Sequence, residues 1–341
     1  MKVSVVIRSK DEAGRLRLVL ASLANQTVRP EVVVVDDGSS DHTPAVVAEA
    51  AGDLDIVALR NAAPIGRSAA SNLGANAATG DIVLFLDGDT LAAPDVVARH
   101  AEAHGLGGRR IVRGETWHLR CTRPFLDPET GAPQPAEAAR VARMPAAELA
   151  RSLVTRRQIA EGFDEIAARG QPGIYPGFGP RRLFELEMEA LNAHPDCPVL
   201  WAAAAGSNQS VAREIFLQSG GFHPRLSINE HRELALRLCQ AGCRMAGTTA
   251  RTYHMIHRSG WRDPLVDRDW EELFFAAHPT PAVALMSVLW ASLAEPCDLP
   301  VAARITTLPQ LAAAAERCAA VAGREAMLQA HHRWASLEQA P

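Results

Sequence analysis

Two clusters of carboxylates each follow a short apolar run. Leu84-Phe85-Leu86 leads into Asp87-Gly88-Asp89, and Val34-Val35 leads into Asp36-Asp37-Gly38-Ser39-Ser40-Asp41. Two carboxylates two residues apart, just after a buried strand, suit a hard divalent cation whose remaining coordination positions are filled by phosphate oxygens. The other cluster can accept hydrogen bonds from base N–H groups and ribose hydroxyls. Asp-Gly is also a common turn pair, so either cluster alone is compatible with a solvated turn. Gly38 lets the chain turn closely, and Ser40 or Asp41 can cap the helix that follows. Capping alone accounts for Asp41.

These groups act together only if the fold brings them together. Apolar runs at Val3–Ile7, Val32–Val35, Ile56–Leu59 and Ile82–Leu86 read as strands. Between them, Leu16, Val19, Leu20 and Leu23 recur at helical spacing, and Thr43–Ala51 and Ser68–Ala78 read as helices. Fully apolar strands alternating with helices imply an α/β chain with a Rossmann-like, mostly parallel central sheet covered on both faces. Such sheets bind ligands beyond the carboxyl ends of their strands, which places Asp36, Asp37, Asp87 and Asp89 on one crevice. The block from 118 to 198 is rich in Pro, Arg and Glu, with helix patterns at Ala136–Arg143 and Ala146–Ala167 and a loop at Gly170–Pro180. It reads as a helical insertion over the crevice. Val199–Ala204 reads as a strand returning to the main domain, Arg213–Ser219 and Glu230–Ala241 as helices, and the Ala-rich tail as helical. The expected division is 1–117, 118–198, 199–278 and 279–341.

Composition excludes several classes. A net charge of −4 does not suggest a nucleic-acid partner. The longest apolar stretch near the C-terminus, Pro281–Ala294, is shorter than the roughly 20 residues a spanning helix needs. Six cysteines without a C-x-x-C pair argue against a zinc knuckle. The expectation is a cytoplasmic protein with reduced thiols. The sequence after Ile7 lacks the G-x-G-x-x-G of a dinucleotide site.

In their order and spacing the two acidic motifs resemble the family 2 glycosyltransferases of the GT-A fold. The resembling stretches are Val3–Glu12, Glu31–Asp41, Gly66–Gly74 and Gly80–Asp89, then Gly206-Ser207-Asn208, Ser219-Gly220-Gly221-Phe222 and Asn229 to Arg237. The resemblance implies a metal-dependent, inverting transfer of one sugar from a nucleotide-diphosphate donor, UDP-glucose or a related UDP-sugar, with Mn²⁺ or Mg²⁺. Glu12 and Asp37 then match contacts to uracil or ribose, and Asp87 and Asp89 match the ribose and metal contacts, with Asp89 the better metal ligand. Arg8 and Gly88 join them in the donor site. Arg67 lies in the loop that holds the donor; where the family often has Ala-Arg-Asn, this chain has Ala70-Ser71-Asn72. A late histidine often completes the metal site, and His254 and His257 both qualify, with His254 preferred. Arg258 and Arg262 are placed to clamp the diphosphate.

The base is anomalous. Where the family usually has a Glu-Asp pair, this chain has Glu230-His231. Glu230 is the preferred base, His231 the alternative, and a disabled pair in a sugar-binding relic the third reading. Glu233 lies one helical turn on and is read as helix surface. Trp117, Tyr175, Phe178 and Trp201 are candidate stacking faces for the acceptor, although core packing is the blander reading of each, and Asn208 and Arg181 are candidate contacts to hydroxyls or a donor phosphate. The acceptor is expected to be a small hydroxyl-bearing molecule, such as an aminocyclitol natural product. Two other readings remain open: a nucleotidyltransferase, which would want a Gly-rich loop where this chain has Arg8 to Gly14, and a non-catalytic nucleotide-sugar-binding protein.

Overall fold

The computed structural model describes residues 1–172, 183–257, 263–294 and 296–337. The first part alternates β1 (Val3–Ser9), α1 (Ala13–Ala24), β2 (Glu31–Asp36), α2 (Thr43–Ala50), β3 (Asp55–Arg60), α3 (Arg67–Ala77) and β4 (Ile82–Asp87). These four strands pair in parallel in the order β3-β2-β1-β4. Their side chains divide between two cores because successive residues point to opposite faces. Val5, Ile7, Val32 and Val34 pack with α1, α2 and the helix at Val96–Gly105, while Val6, Val33, Val83 and Phe85 pack on the other face with Ala75 of α3. That division explains why the strands are apolar throughout.

The sheet continues through β5 (Thr90–Ala92), α4 (Val96–Gly105) and β6 (Arg110–Leu119). A small hairpin, β7 (Phe125–Asp127) and β8 (Ala132–Pro133), precedes four short helices, α5 to α8 (Ala138–Val141, Ala146–Ser152, Arg156–Glu161 and Phe163–Ala167). Then come β9 (Gln171–Pro172), α9 (Leu183–Ala193), β10 (Gln209–Ala212), α10 (Arg213–Gln218), α11 (Glu230–Gln240) and β11 (Arg244–Met255). β10 lies antiparallel between β4 and β6, β11 runs parallel to β6, and β5 closes the far edge, so one sheet runs β3-β2-β1-β4-β10-β6-β11-β5, with β9 on β6. The rest is helical: α12 (Asp269–Ala277), then α13 to α16 (Pro281–Ala284, Met286–Ser292, Leu308–Arg317 and Arg324–Leu337). The architecture is therefore α/β with a mostly parallel sheet, as expected. No helix among the described residues is long and apolar enough to cross a membrane, and the six cysteines are unpaired.

Two elements differ from the sequence reading. Val199–Ala204 is not a strand: Leu200–Ala203 forms a 3-10 turn buried in the core. An apolar run of this length satisfies either conformation, since both bury it. The returning strand is the more polar β10, whose buried polar side chains are satisfied from outside the sheet: Ser210 Oγ lies 2.8 Å from His100 Nδ1 of α4, and Gln209 Oε1 accepts from Ala205 N at 2.9 Å. The helix expected over Ala146–Ala167 is cut into three. Leu153 adopts extended backbone, Thr155 opens α7 with a capping box to Gln158, and Gly162 separates α7 from α8.

Glu31, buried at the start of β2, ties the edges of three strands together. It accepts from the Ser4 hydroxyl, from Thr79 N at 2.7 Å and from Lys2 Nζ at 3.1 Å. Burial would raise its carboxyl, but the Ser4, Thr79 and Lys2 bonds hold it down to about 2. Its stabilisation is thus complete above the ordinary 4.5 and lost as pH falls from there toward 2. Glu31→Gln is expected to lower the unfolding free energy by about 2 kcal/mol at neutral pH. Urea titrations at falling pH should show the gap between the two proteins closing below about pH 4; a gap that stays constant would show that the charge contributes nothing.

Candidate active site

The parallel register sets Ser9 of β1 beside Asp36 of β2, and Arg8 beside Asp87 of β4. Beyond these carboxyl ends lies a cleft of about 570 Å³. Asp37, Asp87 and Asp89 all line it. Asp36 does not: it is buried one residue too early, accepting from Ser39 N at 2.9 Å and pairing with Arg60 at 3.3 Å. The acidic wall therefore has three aspartates where the sequence suggested four. Asp41 accepts from Ala13 N at 3.0 Å and Thr43 N at 2.9 Å, which anchors the starts of both α1 and α2.

Asp89 is the centre of a cation-type donor set. Thr90 Oγ1 donates to its Oδ1 at 2.8 Å, which leaves Oδ2 facing two imidazoles. His257 Nε2 lies 2.8 Å from Oδ2 and His254 Nε2 3.3 Å from it. The register of β11 between β6 and β5 sets His254 opposite both His118 and Thr90, which is why a residue so late in the chain reaches β4. One ligand atom from each of Asp89, His254 and His257 lies within 4.8 Å of the others. One carboxylate oxygen with two imidazole nitrogens is a donor set that a first-row divalent cation can occupy. Both histidines belong to the set, so the choice of His254 over His257 is not forced. Burial would raise the Asp89 carboxyl, but His254 and then His257 hold it well below its usual range. Burial would lower His254, and Asp89 raises it. His118 Nδ1 lies 3.2 Å from His254 Nδ1, and burial pushes His118 down to about 3.

The donor side is built from loops that the strands end in. Gly88 is closely packed: a Cβ there would sit 3.0 Å from Ser9 Oγ and 3.3 Å from Arg8 O. Arg8 pairs with Asp87 at 2.8 Å; burial disfavours its charge, but Asp87 and then Glu230 strengthen its hold on the proton. Asp37 shapes the loop before α3, accepting from Asn61 Nδ2 at 2.8 Å, Ile65 N at 2.8 Å and Gly66 N at 3.0 Å. That loop delivers Arg67, the first residue of α3, to the cleft. Glu12 lines the cleft 3.5 Å from His257, its carboxyl pushed up to about 8 by burial and then by Asp89.

Across the cleft stand Glu230 and His231, the first residues of α11. Burial would raise Glu230, but His231 and then Arg8 draw it down to about 2, so it is ionised at neutral pH. His231 is lowered by burial and then by Arg232. Beneath them Arg232 donates to Ala202 O and pairs with the buried Glu187 of α9, which also holds Arg113 at 2.5 Å.

The family model for Glycosyl transferase family 2 matches residues 4–123. That match makes residues 4–123 similar to family 2 glycosyl transferases. The chain is 35% identical over 119 residues to an uncharacterized glycosyltransferase, YfnE, of Bacillus subtilis, covering 34% of this chain and 30% of that protein. It is 32% identical over 127 residues to a dolichol-phosphate mannosyltransferase of Pyrococcus furiosus, covering 34% and 36%. The chain thus spans about a third of the length of the curated relatives it matches. In structure, it resembles a Pyrobaculum calidifontis mannosyltransferase solved with GDP-Man and Mn²⁺ (TM-score 0.53, 18% identity, 99% of this chain and 84% of that one). It also resembles S. aureus TarS solved with UDP-GlcNAc (TM-score 0.51, 15% identity, 86% and 70%). At these identities the likeness establishes the GT-A fold.

The matched residues 4–123 include Arg8, Glu12, Asp37, Arg67, Asp87, Gly88 and Asp89 of the cleft, while Glu230, His231, His254 and His257 come from beyond them. Three expected acceptor contacts lie elsewhere. Trp201 is buried in the core against Phe274, with ring centroids 5.8 Å apart. Trp117 stands outside the cleft with the Arg251 guanidinium 3.9 Å over its ring. Asn208 is wholly buried; its amide donates to Glu115 O and Ala250 O at 2.9 Å each and its Oδ1 meets His100 at 2.8 Å, so it braces strands and cannot reach a ligand. Glu233 is not helix surface: it is buried between Arg237 at 2.7 Å and His278 at 2.9 Å. Arg258, Arg262, Tyr175, Phe178 and Arg181 fall outside the described residues. Ser207, His118, Glu187, Arg232 and Trp290 line the cleft without having been singled out. Arg232 sat inside the Asn229–Arg237 motif and was legible there; Glu187 carried no signal, since nothing in a helical run of Glu and Leu tells which glutamate is buried.

Proposed function

We propose that this chain transfers one sugar from a nucleoside-diphosphate donor to a hydroxyl of a small acceptor, with Glu230 as the base. The observation that carries the reading is one cleft holding the Asp89–His254–His257 donor set on one wall and an ionised, buried Glu230 on the other. Asp89, His254 and His257 would hold the divalent cation, which acts as a Lewis acid toward the departing diphosphate. Arg67 at the amino end of α3 adds a cation where the helix dipole already favours phosphate. Glu230 accepts the proton of the acceptor hydroxyl as its oxygen bonds to the anomeric carbon, and the electron pair of the broken glycosyl bond leaves with the diphosphate. This single displacement inverts the anomeric centre. Gly206 keeps the approach open, since a Cβ there would lie 3.4 Å from His231 Nδ1 and 3.9 Å from a Glu230 carboxylate oxygen.

A uridine diphosphate sugar is the donor favoured by the acidic motifs; GDP-mannose is the second reading, favoured by the mannosyltransferase neighbour. Thermal unfolding with UDP-glucose or GDP-mannose, each with and without Mn²⁺, separates them. Specific binding at about 100 times Kd stabilises by about 2.7 kcal/mol, and the expected result is a shift of a few degrees for one donor that needs Mn²⁺. No shift with either donor would end the reading, and release of pyrophosphate in place of a nucleoside diphosphate would redirect it to nucleotidyl transfer.

A further inference from the structure

Two buried polar atoms beside Glu230 have no hydrogen-bond partner among the described residues: Asn229 Nδ2 and His231 Nδ1. Both residues line the cleft. A buried donor left unpaired is costly, and such groups call for an explanation. The cause lies underneath. Arg232 Nη1 lies 2.9 Å from Asn229 Oδ1 and 2.8 Å from His231 Nε2, while its other nitrogens are held by Ala202 O and Glu187. A guanidinium has no acceptor, so it donates in every one of these contacts. The Asn229 atom facing it must be the oxygen, which turns the NH₂ away. The His231 nitrogen facing it must be bare, and a neutral ring then carries its proton on Nδ1. That N–H faces Glu230 Oε2 at 3.6 Å, beyond full hydrogen-bond length, so its dipole favours the carboxylate while the proton remains open to another acceptor.

We propose that Arg232 fixes Asn229 and His231 as neutral N–H donors flanking the Glu230 carboxylate, and that this pair receives oxygens of an uncharged polyol acceptor. The inference takes Glu230 as the base of the proposed transfer and adds what its neighbours do. A carboxylate ligand would meet the Glu230 charge, whereas a hydroxyl can donate to Glu230 while a neighbouring ring oxygen accepts from Asn229 or His231. His231 is then a positioning residue and cannot take up the proton through Nε2, which Arg232 occupies. The His-for-Asp departure supplies an N–H where the family pattern has a second carboxylate.

Nitrogen-15 spectra of the histidine rings test this on the whole protein, with His231→Asn identifying the signal. The expected state at neutral pH is a neutral ring protonated on Nδ1; a proton on Nε2 or an imidazolium overturns the proposal. Glucose, added as probe, should move the His231 Nδ1–H signal and leave His100 and His104, which are bonded to Ser210 and Asn208. Glucuronate should move none of them. Asn229→Asp keeps a residue tolerant of the left-handed φ of 62° and removes the donor; it should weaken the glucose response about fivefold. Absent or equal responses to the two sugars, or an unchanged response in Asn229→Asp, overturn the proposal. A protein that transfers no sugar yet shows this tautomer and glucose response refutes the transferase reading and keeps the donor pair; an active enzyme with Nε2–H does the reverse.

Discussion

Glu230→Gln is expected to lower turnover by about 100- to 10,000-fold, the usual worth of a general base, with donor affinity changed less than about twofold, since no donor-binding group is touched. The side chain keeps its shape and its place in the first turn of α11, but an amide cannot take the acceptor proton. The burial of Glu230 makes the result sharp, because solvent cannot readily substitute for it. His231 and Arg8 hold the carboxyl down to about 2. It is therefore ionised throughout the neutral range, and the loss in the variant should be the same at about pH 6 and pH 8. His231→Ala should raise the acceptor KM while lowering kcat far less than Glu230→Gln does, because Arg232 occupies its Nε2 at 2.8 Å and the ring cannot take the proton there. Steady-state kinetics with saturating donor and metal decide the point. A Gln variant turning over at wild-type rate removes Glu230 as base, and an inactive His231→Ala beside an active Glu230→Gln would transfer that role to His231.

Asp89→Asn should abolish divalent-cation uptake for all practical purposes. Loss of a partner behind a ligand already costs about 10- to 100-fold in affinity, and here a charged ligand is itself removed. Asn retains Oδ1 toward Thr90 and the volume of the side chain, so the fold should persist. What disappears is the negative charge that His254 and His257 share. Calorimetry with Mn²⁺ should show binding to the natural protein and none to the variant. The Mn²⁺-dependent thermal shift with nucleotide sugar should vanish with it. Undiminished Mn²⁺ binding by Asp89→Asn would remove the triad as the cation site.

The acidic motifs were readable because strand ends in a parallel sheet must share an edge, so an aspartate just after an apolar run has a predictable place. Asp37, Asp87 and Asp89 could thus be assigned to one cleft before any coordinates. Asp36 was misplaced because Ser39 N and Arg60 take up its carboxylate, whereas Asp87, equally the last residue of its strand, faces the cleft. The aromatic and amide contacts were misread for a different reason. Trp117, Trp201 and Asn208 are as suited to a core as to a sugar, and composition does not tell which neighbours surround them. Val199–Ala204 failed likewise, because an apolar run satisfies a strand or a buried 3-10 turn.

Local order along the chain was sufficient for the parallel β1–β4 half, the capping by Asp41 and the position of the acidic wall, since each depends on residues close in sequence or on the regular alternation of strand and helix. Only the tertiary structure decided that both His254 and His257 reach Asp89, that Glu187 of α9 grips Arg232, and that Arg232 in turn assigns the ring proton of His231. The first two depend on contacts between residues 45 to 168 positions apart, and the third on the Glu187 contact that holds Arg232 in place. Their formation is set by strand register and by which buried charges find partners, and neither is encoded in any short stretch of sequence.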